Sequence, residues 1–336
     1  MSDTFTTVQT ELPRDRWGRP LITPKDGGDP VAYQRCTTFV GCLEDTYNLS
    51  VWQQTMVALG MSRRRDLVLS ASAISDPKDR FQKRTLKDIA RQAIDAAHGG
   101  AAAATGTALH AFSEQVDAGT LDWSRVPEEY VADLKAYEEV MRPFTILAVE
   151  GFCVVDDLRV GGSYDRILGL PEGGLTAPDG TLVEGAVIGD LKTGATMDFG
   201  MGKIAQQLGV YANAEDYNHT LGTRTPLVGN PSKRWGIVIH LPAGTGQAHL
   251  LWVNIEAGWE TARTLAVGVH AWRKRKDLHF PLSTASVTPK AAPSLVEQIN
   301  AAASYEELSA LYAQNASRWT PGLTSLAAER KKALSA

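Results

Sequence analysis

Apolar positions recur at helical spacing in the first half of the chain and bunch into short β-branched runs in the middle. From Gln34 to Met61, Leu49, Trp52, Met56 and Leu59 fall three or four residues apart. That spacing predicts a helix capped by Asn48 or Ser50 and ending near Gly60. Alanine-rich stretches around 78–97 and 101–119 predict two more helices, alanine being the strongest helix former. A fourth, PEEYVADLKAYEEVMRPF, opens on Pro127 and places two acids in its first turn, at the positive end of the helix dipole. It stops before Pro143.

The texture then changes. TILAVEGFCVV, VGGSYDRILGL and GAVIGDLKT are short, β-branched and separated by Gly, Pro and Asp, and they predict three strands in succession. The turn-rich segment PEGGLTAPDGTLVEG predicts an elaborated hairpin that sets the second and third strands antiparallel and adjacent. A helix over about 200–219, strands RWGIVIHL and HLLWVNIE, and a long helix over about 257–277 follow. Residues 1–30 are polar and rich in Pro, Gly and Asp, which predicts a poorly ordered leader. The main domain is expected over 31–283. A small helical accessory domain is expected over 290–336, after a loop-like stretch past Pro281.

Composition narrows the class. The chain has 336 residues, 43% of them hydrophobic, which suffices for one large domain and an appendage. Its net charge of -4 gives no global basic field, although positive potential can be confined to a groove. Cys36, Cys42 and Cys153 are too few for a disulfide framework or for the four thiolates of an iron–sulfur cluster. The amino terminus lacks the pattern of a signal peptide, and no run approaches the ~18 apolar residues of a membrane span. A soluble, cytoplasmic protein is expected.

An acid, one residue and a lysine recur at Asp76–Lys78, Asp133–Lys135, Asp190–Lys192 and Glu329–Lys331, so the bare pattern decides nothing. Only Asp190 and Lys192 end an apolar strand. Residues two apart on a strand share a face, so Ile188, Asp190 and Lys192 point one way while Val187 and Leu191 point the other. A charged pair there is either a structural ion pair or a functional site. Asp165, in the preceding strand of the expected hairpin, brings a second carboxylate beside Asp190. Asp165, Asp190 and a backbone carbonyl such as that of Leu191 form a hard site suited to Mg²⁺ or Mn²⁺. Lys192 is placed to orient a hydroxide or to stabilise developing negative charge, which is the chemistry of phosphodiester hydrolysis.

Four pieces now stand in order: Gly106-Thr107-Ala108-Leu109-His110, Gly161-Gly162-Ser163-Tyr164-Asp165, Asp190-Leu191-Lys192-Thr193, and Gln207-Leu208-Gly209-Val210-Tyr211. Together they resemble the RecB-like branch of the PD-(D/E)XK nuclease superfamily over roughly residues 34–280. The resemblance implies an α/β fold with a restriction-endonuclease-like core: a central mixed sheet of about five strands flanked by helices. It makes His110 a metal ligand with Asp165, Asp190 and the Leu191 carbonyl. It places Gln207 and Tyr211 beside Lys192 or a substrate phosphate. A lone helix histidine is more often a satisfied core residue. Gln207 and Tyr211 alone would suggest only a buried phenol and a local amide.

Further candidates surround this set. Gly106, one turn before His110, would leave room for an ion or nucleotide, and Glu114, one turn after, would hydrogen-bond the ring or stay exposed. Glu150 is a candidate extra acid, while Thr193 and Gly194 would admit the DNA backbone or simply turn. Arg273, Lys274, Arg275 and Lys276, with Arg63 to Arg65, are candidate phosphate contacts or solvated helix ends. With too few cysteines for a cluster, the chain looks more like the phage exonucleases that work with a strand-annealing recombinase. The resemblance therefore implies a metal-dependent DNA exonuclease of phage recombination, replication or repair. The alternatives are an endonuclease of the same fold and a non-catalytic binding module with a vestigial site. The tail, 290–336, would then be a docking element for the recombinase. A monomer and a DNA-encircling ring would carry the same motifs.

Overall fold

The computed structural model describes residues 12–197, 200–280 and 292–335. Short strands open it: Leu21–Ile22 (β1) pairs antiparallel with Val31–Ala32 (β2), and Gln34–Arg35 (β3) follows. Residues 12–30 therefore correct the expectation of a poorly ordered leader. Ile22 is fully buried against Tyr33, Val154 and Tyr217, an anchor that the polar composition around it concealed. Residues 1–11 lie outside the described residues.

The expected first helix is broken into Cys36–Val40 (α1), a 3₁₀ turn at Gly41–Leu43, and Tyr47–Arg63 (α2). Its periodic residues Leu49, Trp52 and Leu59 are exposed. The packed face is instead Val57, Gly60 and Met61, because Gly60 lies so close to a later helix that a Cβ there would sit 1.7 Å from the Ala93 carbonyl oxygen. Asn48 and Ser50 are not caps. They lie inside the helix, whose N-cap is Thr46. Arg65–Ser72 (α3) and Arg80–Ala96 (α4) complete this bundle around Leu67, Ile89 and Ala93. Ala101–Asp117 (α5) and Glu128–Met141 (α6), with Pro127 as N-cap, follow as expected.

Two of the three expected middle strands are each split in two. They become Thr145–Val149 (β4) and Phe152–Val155 (β5), then Val160–Ser163 (β6) and Arg166–Gly169 (β7). A two-stranded ribbon, Leu175–Thr176 (β8) and Leu182–Val183 (β9), decorates the long hairpin to Ala186–Lys192 (β10). β7 and β10 are antiparallel neighbours, as expected, with Ala186 opposite Gly169 and Gly189 opposite Arg166. The helix expected over 200–219 stops at Ala212: Met201–Ala212 (α7) is capped by Lys233, whose ammonium binds the Ala212 carbonyl. Glu215–Asn218 (β11) then buries Tyr217 in the Ile22 cluster and pairs with Thr223–Pro226 (β12). Trp235–His240 (β13) and His249–Asn254 (β14) form a hairpin. The final helix of this part runs as Ile255–Thr261 (α8), a π-helical turn at Ala262–Ala266, and Val267–Arg273 (α9).

The central five-stranded sheet has the order β14-β13-β10-β7-β4 and is mixed, since β10 and β13 run parallel while its other neighbours are antiparallel. Alternation along β10 divides the core. Ile188 faces a cluster with Ile204 and Leu208 of α7, and Val187 and Leu191 face another with Leu109 of α5 and Leu134 and Tyr137 of α6. A second five-stranded sheet, β12-β11-β5-β6-β3, was not foreseen. The chain separates into two compact units, Met1–Lys274 and Arg275–Ala336. In the second, Leu295–Ala301 (α10), Tyr305–Asn315 (α11) and Pro321–Leu334 (α12) pack around Ile299, Ala302 and Leu308. Among the described residues no helix is long and apolar enough to cross a membrane. The loop expected past Pro281 lies, up to residue 291, outside the described residues.

The contact that seats α7 is glycine-mediated. A Cβ on Gly258 would lie 2.1 Å from the Ala205 carbonyl oxygen, whereas one on Gly202, in the same α7, meets nothing within 4 Å. Gly258→Ala is expected to cost about 1–3 kcal/mol or more, and Gly202→Ala to gain up to about 1 kcal/mol, both read by urea unfolding. Equal effects of the two substitutions would refute this account of the packing.

Candidate active site

The site lies where two strand pairs leave one sheet for the other. β4 passes to β5 at Glu150-Gly151, and β6 passes to β7 at Tyr164-Asp165. The two breaks are stitched together: Glu150 N–H donates to the Asp165 carbonyl at 2.9 Å, and Tyr164 N–H donates to the Gly151 carbonyl at 3.0 Å. Gly151 is required there, since a Cβ would sit 2.0 Å from the Tyr164 hydroxyl, which donates to Asp216 Oδ1 at 3.0 Å. Glu150 takes a left-handed backbone, φ 52°, a conformation that non-glycine residues seldom adopt without a compensating constraint. Asp165 is thus at a corner between strands, not within one.

β10 meets that corner. The last β7 partner of β10 is Arg166, opposite Gly189, so two residues later the Leu191 N–H has no ladder acceptor on that side. The Asp165 carboxylate takes it, Oδ2 accepting at 2.9 Å. His110, on α5, stands with Nδ1 3.7 Å from the same oxygen, and the Leu191 backbone favours its protonated form. Asp190 and Lys192 point to the opposite face from Leu191 and pair with each other. Asp190 Oδ2 accepts no regular hydrogen bond, and the carboxylate is only 2% exposed, against 31% for the lysine side chain. The space at Gly106 is already filled, correcting the expectation that it leaves room for a ligand. A Cβ there would meet Thr193 Oγ1 at 2.8 Å, so the glycine lets α5 close on the end of β10.

The electrostatics are those of crowded acids. Burial, reinforced by the charge of Asp165 and then of Glu114, pushes the Glu150 carboxyl up to about 7. Burial and Asp165 likewise push Asp190 up to about 6, with Lys192 opposing. Burial raises Glu114 and lowers His110, favouring the neutral imidazole. Among the described residues no three His, Cys, Asp or Glu side chains are gathered tightly enough to enclose an ion as they stand. The donor chemistry nevertheless fits a hard divalent cation: carboxylates that repel one another, one of them buried with Lys192 as its ion-pair partner, beside a neutral imidazole and a strand-end carbonyl.

A buried network backs the site, and sequence reasoning missed it. Arg166, 1% exposed, donates from Nε to Asp117 Oδ2 at 2.6 Å and from Nη2 to Ser113 Oγ at 2.6 Å. Tyr137 donates its hydroxyl to Asp117 Oδ1 at 2.6 Å. Ser113 and Asp117 follow His110 by three and seven residues on α5, so helical spacing carried the signal. Arg166 fixes that helix to the strand that follows Asp165.

The other candidates separate. Tyr211, 3% exposed, lies beneath the acids with its hydroxyl against Gly162 and accepts from Gln207 Nε2 at 3.4 Å, so only the half-buried amide faces outward. Thr193 and Gly194 line an open cavity of about 510 Å³ with Thr105, Glu129, Tyr130 and Gly244. Arg63 donates to the Ala96 carbonyl at the end of α4, Arg64 pairs with Asp66, and Arg275 pairs with Asp277. Arg273 and Lys274 are exposed at the end of α9. Cys36 and Cys153 are buried in the α7-side core.

Two tests follow from this arrangement. Carboxyls held above their unfolded values keep protons that the unfolded chain releases. Their contribution is full below about pH 4 and is lost as pH rises through 6 to 7. In chelator, the melting temperature of Glu150→Gln should therefore exceed the parent's at pH 8 and converge with it at pH 5, by about 2–4 °C for each kcal/mol relieved. A gap of the same size at both pH values would contradict the assignment. Arg166→Met, which strands Asp117, should cost about 3–5 kcal/mol in urea titration, and adding Asp117→Asn should recover part of it. Strict additivity would show that the pair does not interact.

A search of curated proteins finds no match. The profile of the PD-(D/E)XK nuclease superfamily matches residues 68–239, just over half of the chain, and spans α5, the crossing strands, β10 and α7. With the mixed sheet and its flanking helices, this match establishes that the chain belongs to the PD-(D/E)XK nuclease superfamily.

Proposed function

We propose that the protein is a Mg²⁺- or Mn²⁺-dependent DNA exonuclease of the RecB-like branch, hydrolysing phosphodiester bonds in phage recombination, replication or repair in the host cytoplasm. The observation that carries this reading is the meeting of Asp165, His110 and the Leu191 backbone at one corner, with Asp190 and Lys192 beside it on the same strand end. Asp165, Asp190, the Leu191 carbonyl and His110 would hold the cation, with Glu150 adjoining. A bound divalent ion supplies Lewis-acid polarisation of the phosphate and an acidified water.

The remaining work falls to the chain's own groups. Lys192, paired with a nearly inaccessible carboxylate but itself part-exposed, presents its ammonium toward a phosphate and stabilises the negative charge that develops there. Tyr211, held beneath, fixes the Gln207 amide as a neutral donor for the same phosphate. Glu150, with its carboxyl near neutrality, is matched to accept or deliver a proton at working pH. The cavity lined by Thr193 and Gly194 leaves space beyond Lys192 for the strand.

The choice of exonuclease over endonuclease rests on the order of the four motif pieces and their likeness to phage exonucleases without a cluster. End-labelled linear duplex and closed circular DNA, each digested with and without Mg²⁺, test it: linear DNA should shorten from its ends while circles survive. Nicked circles would make the protein an endonuclease. Asp190→Asn and Lys192→Ala should each lower the rate at least about 100-fold. Rates equal to the parent's would remove the hydrolytic reading altogether.

A further inference from the structure

The chain is net negative, -4 overall, yet residues 63–96 contain nine lysines and arginines against five aspartates, a local +4. Most of those cations stand on α4. Arg80, Lys83, Arg84, Lys87 and Arg91 follow one another at steps of one, three and four residues, and all are exposed. At 3.6 residues per turn they fall within an arc of roughly 100°, a stripe about 16 Å long at ~1.5 Å per residue. The opposite face of the same helix carries Ile89 and Ala93, which pack on Leu67, Val57 and Met61. The stripe is therefore turned away from the bundle's own core.

The local acids do not neutralise it. Asp79 spends its carboxylate as the N-cap of α4, accepting from the Phe81 and Gln82 amides. Asp66 pairs with Arg64, and Asp88 pairs with Arg91 at 3.2 Å. Arg80, Lys83, Arg84 and Lys87 have no ion-pair partner among the described residues. Like charges three and four residues apart destabilise an isolated helix, so this stripe is unfavourable for the helix until an anion lies along it. At its edge Phe81 is 78% exposed, an aromatic face able to stack on a base or sugar.

We infer that α4 is a binding surface for the DNA sugar–phosphate backbone, with Arg80, Lys83, Arg84 and Lys87 as its phosphate-binding cations. A repeating polyanion fits better than a single anion, because the cations are strung along three turns rather than converging on one point. With one strand phosphate per ~3.4 Å of duplex axis, 16 Å spans about five nucleotides of one strand. α4 ends four residues before α5, the helix that carries His110. The inference depends on the nuclease reading only for naming the polyanion as DNA.

The test is binding of a fluorescently labelled duplex in EDTA, where no hydrolysis occurs, across a series of salt concentrations. The triple variant Lys83→Ala, Arg84→Ala, Lys87→Ala should lower the magnitude of the log K against log salt slope by about 2 to 3, at ~0.9 for each phosphate no longer neutralised. Its affinity at low salt should fall at least tenfold. Its melting temperature should equal or exceed the parent's, since like charges are relieved and alanine favours helix, and its hydrolysis of bis(p-nitrophenyl) phosphate, which is too small to touch α4, should match the parent's. An unchanged slope overturns the assignment of α4 and leaves the hydrolytic reading standing. A reduced slope in a protein that hydrolyses nothing supports α4 as a polyanion site while removing the hydrolytic reading.

Discussion

One hydrogen bond joins the parts that any chemistry here requires: the Leu191 amide donating to the Asp165 carboxylate. It exists because β7 begins only at Arg166, leaving the end of β10 without a ladder partner on that edge. A buried backbone amide must be satisfied by something, and here the acceptor is an acid already turned toward His110. The backbone of one strand thereby fixes the orientation of a side chain from the corner beside it. Thr193, closed against Gly106, brings the histidine helix to the same place.

Concentrating acids at that corner is unfavourable in itself, and the surroundings show how the cost is contained. Arg166 is buried with its charge matched by Asp117, and it eases the mutual repulsion of the carboxylates without being drawn into the site. Lys192 does the same from the open side. What stays uncompensated is local: a raised Glu150 in a left-handed backbone conformation, beside an Asp190 carboxyl that burial and Asp165 still hold up against its Lys192 partner. Strain and unmet charge at the same few residues are features that a purely structural ion pair would not need.

Much of this was legible from spacing alone. The alternation Val187, Ile188, Asp190, Leu191, Lys192 gives the two faces of β10 because a strand's period of two tolerates no other arrangement. The β7–β10 hairpin followed from turn chemistry. What the sequence did not reveal depends on contacts between distant segments. Nothing local in VGGSYDRILGL marks the break at Tyr164-Asp165, which needs the matching break at Glu150-Gly151 and the Asp216 partner of Tyr164. The face of α2 was misjudged because Gly60, not the larger apolar residues, sets which side approaches α4. Tyr217 left the expected helix because a remote Ile22 offered it a core. Arg166 and Asp117 escaped notice since each, alone, resembles an ordinary surface charge.

The amino-terminal stretch shows how far such remote contacts reach. Tyr33 donates to Asp156 at 2.6 Å, Lys25 pairs with Glu215, and β3 lies parallel to β6 with Arg35 opposite Gly161. β6 leads directly into Asp165, so this polar segment shields the open edge of the very strand that delivers an acid to the site. A shortened protein beginning near residue 36, past β3, would lay bare an unpaired strand edge of the kind on which other chains assemble. Loss of solubility and misplacement of Asp165 would then arrive together, from one cut made far along the chain from the acids of the site.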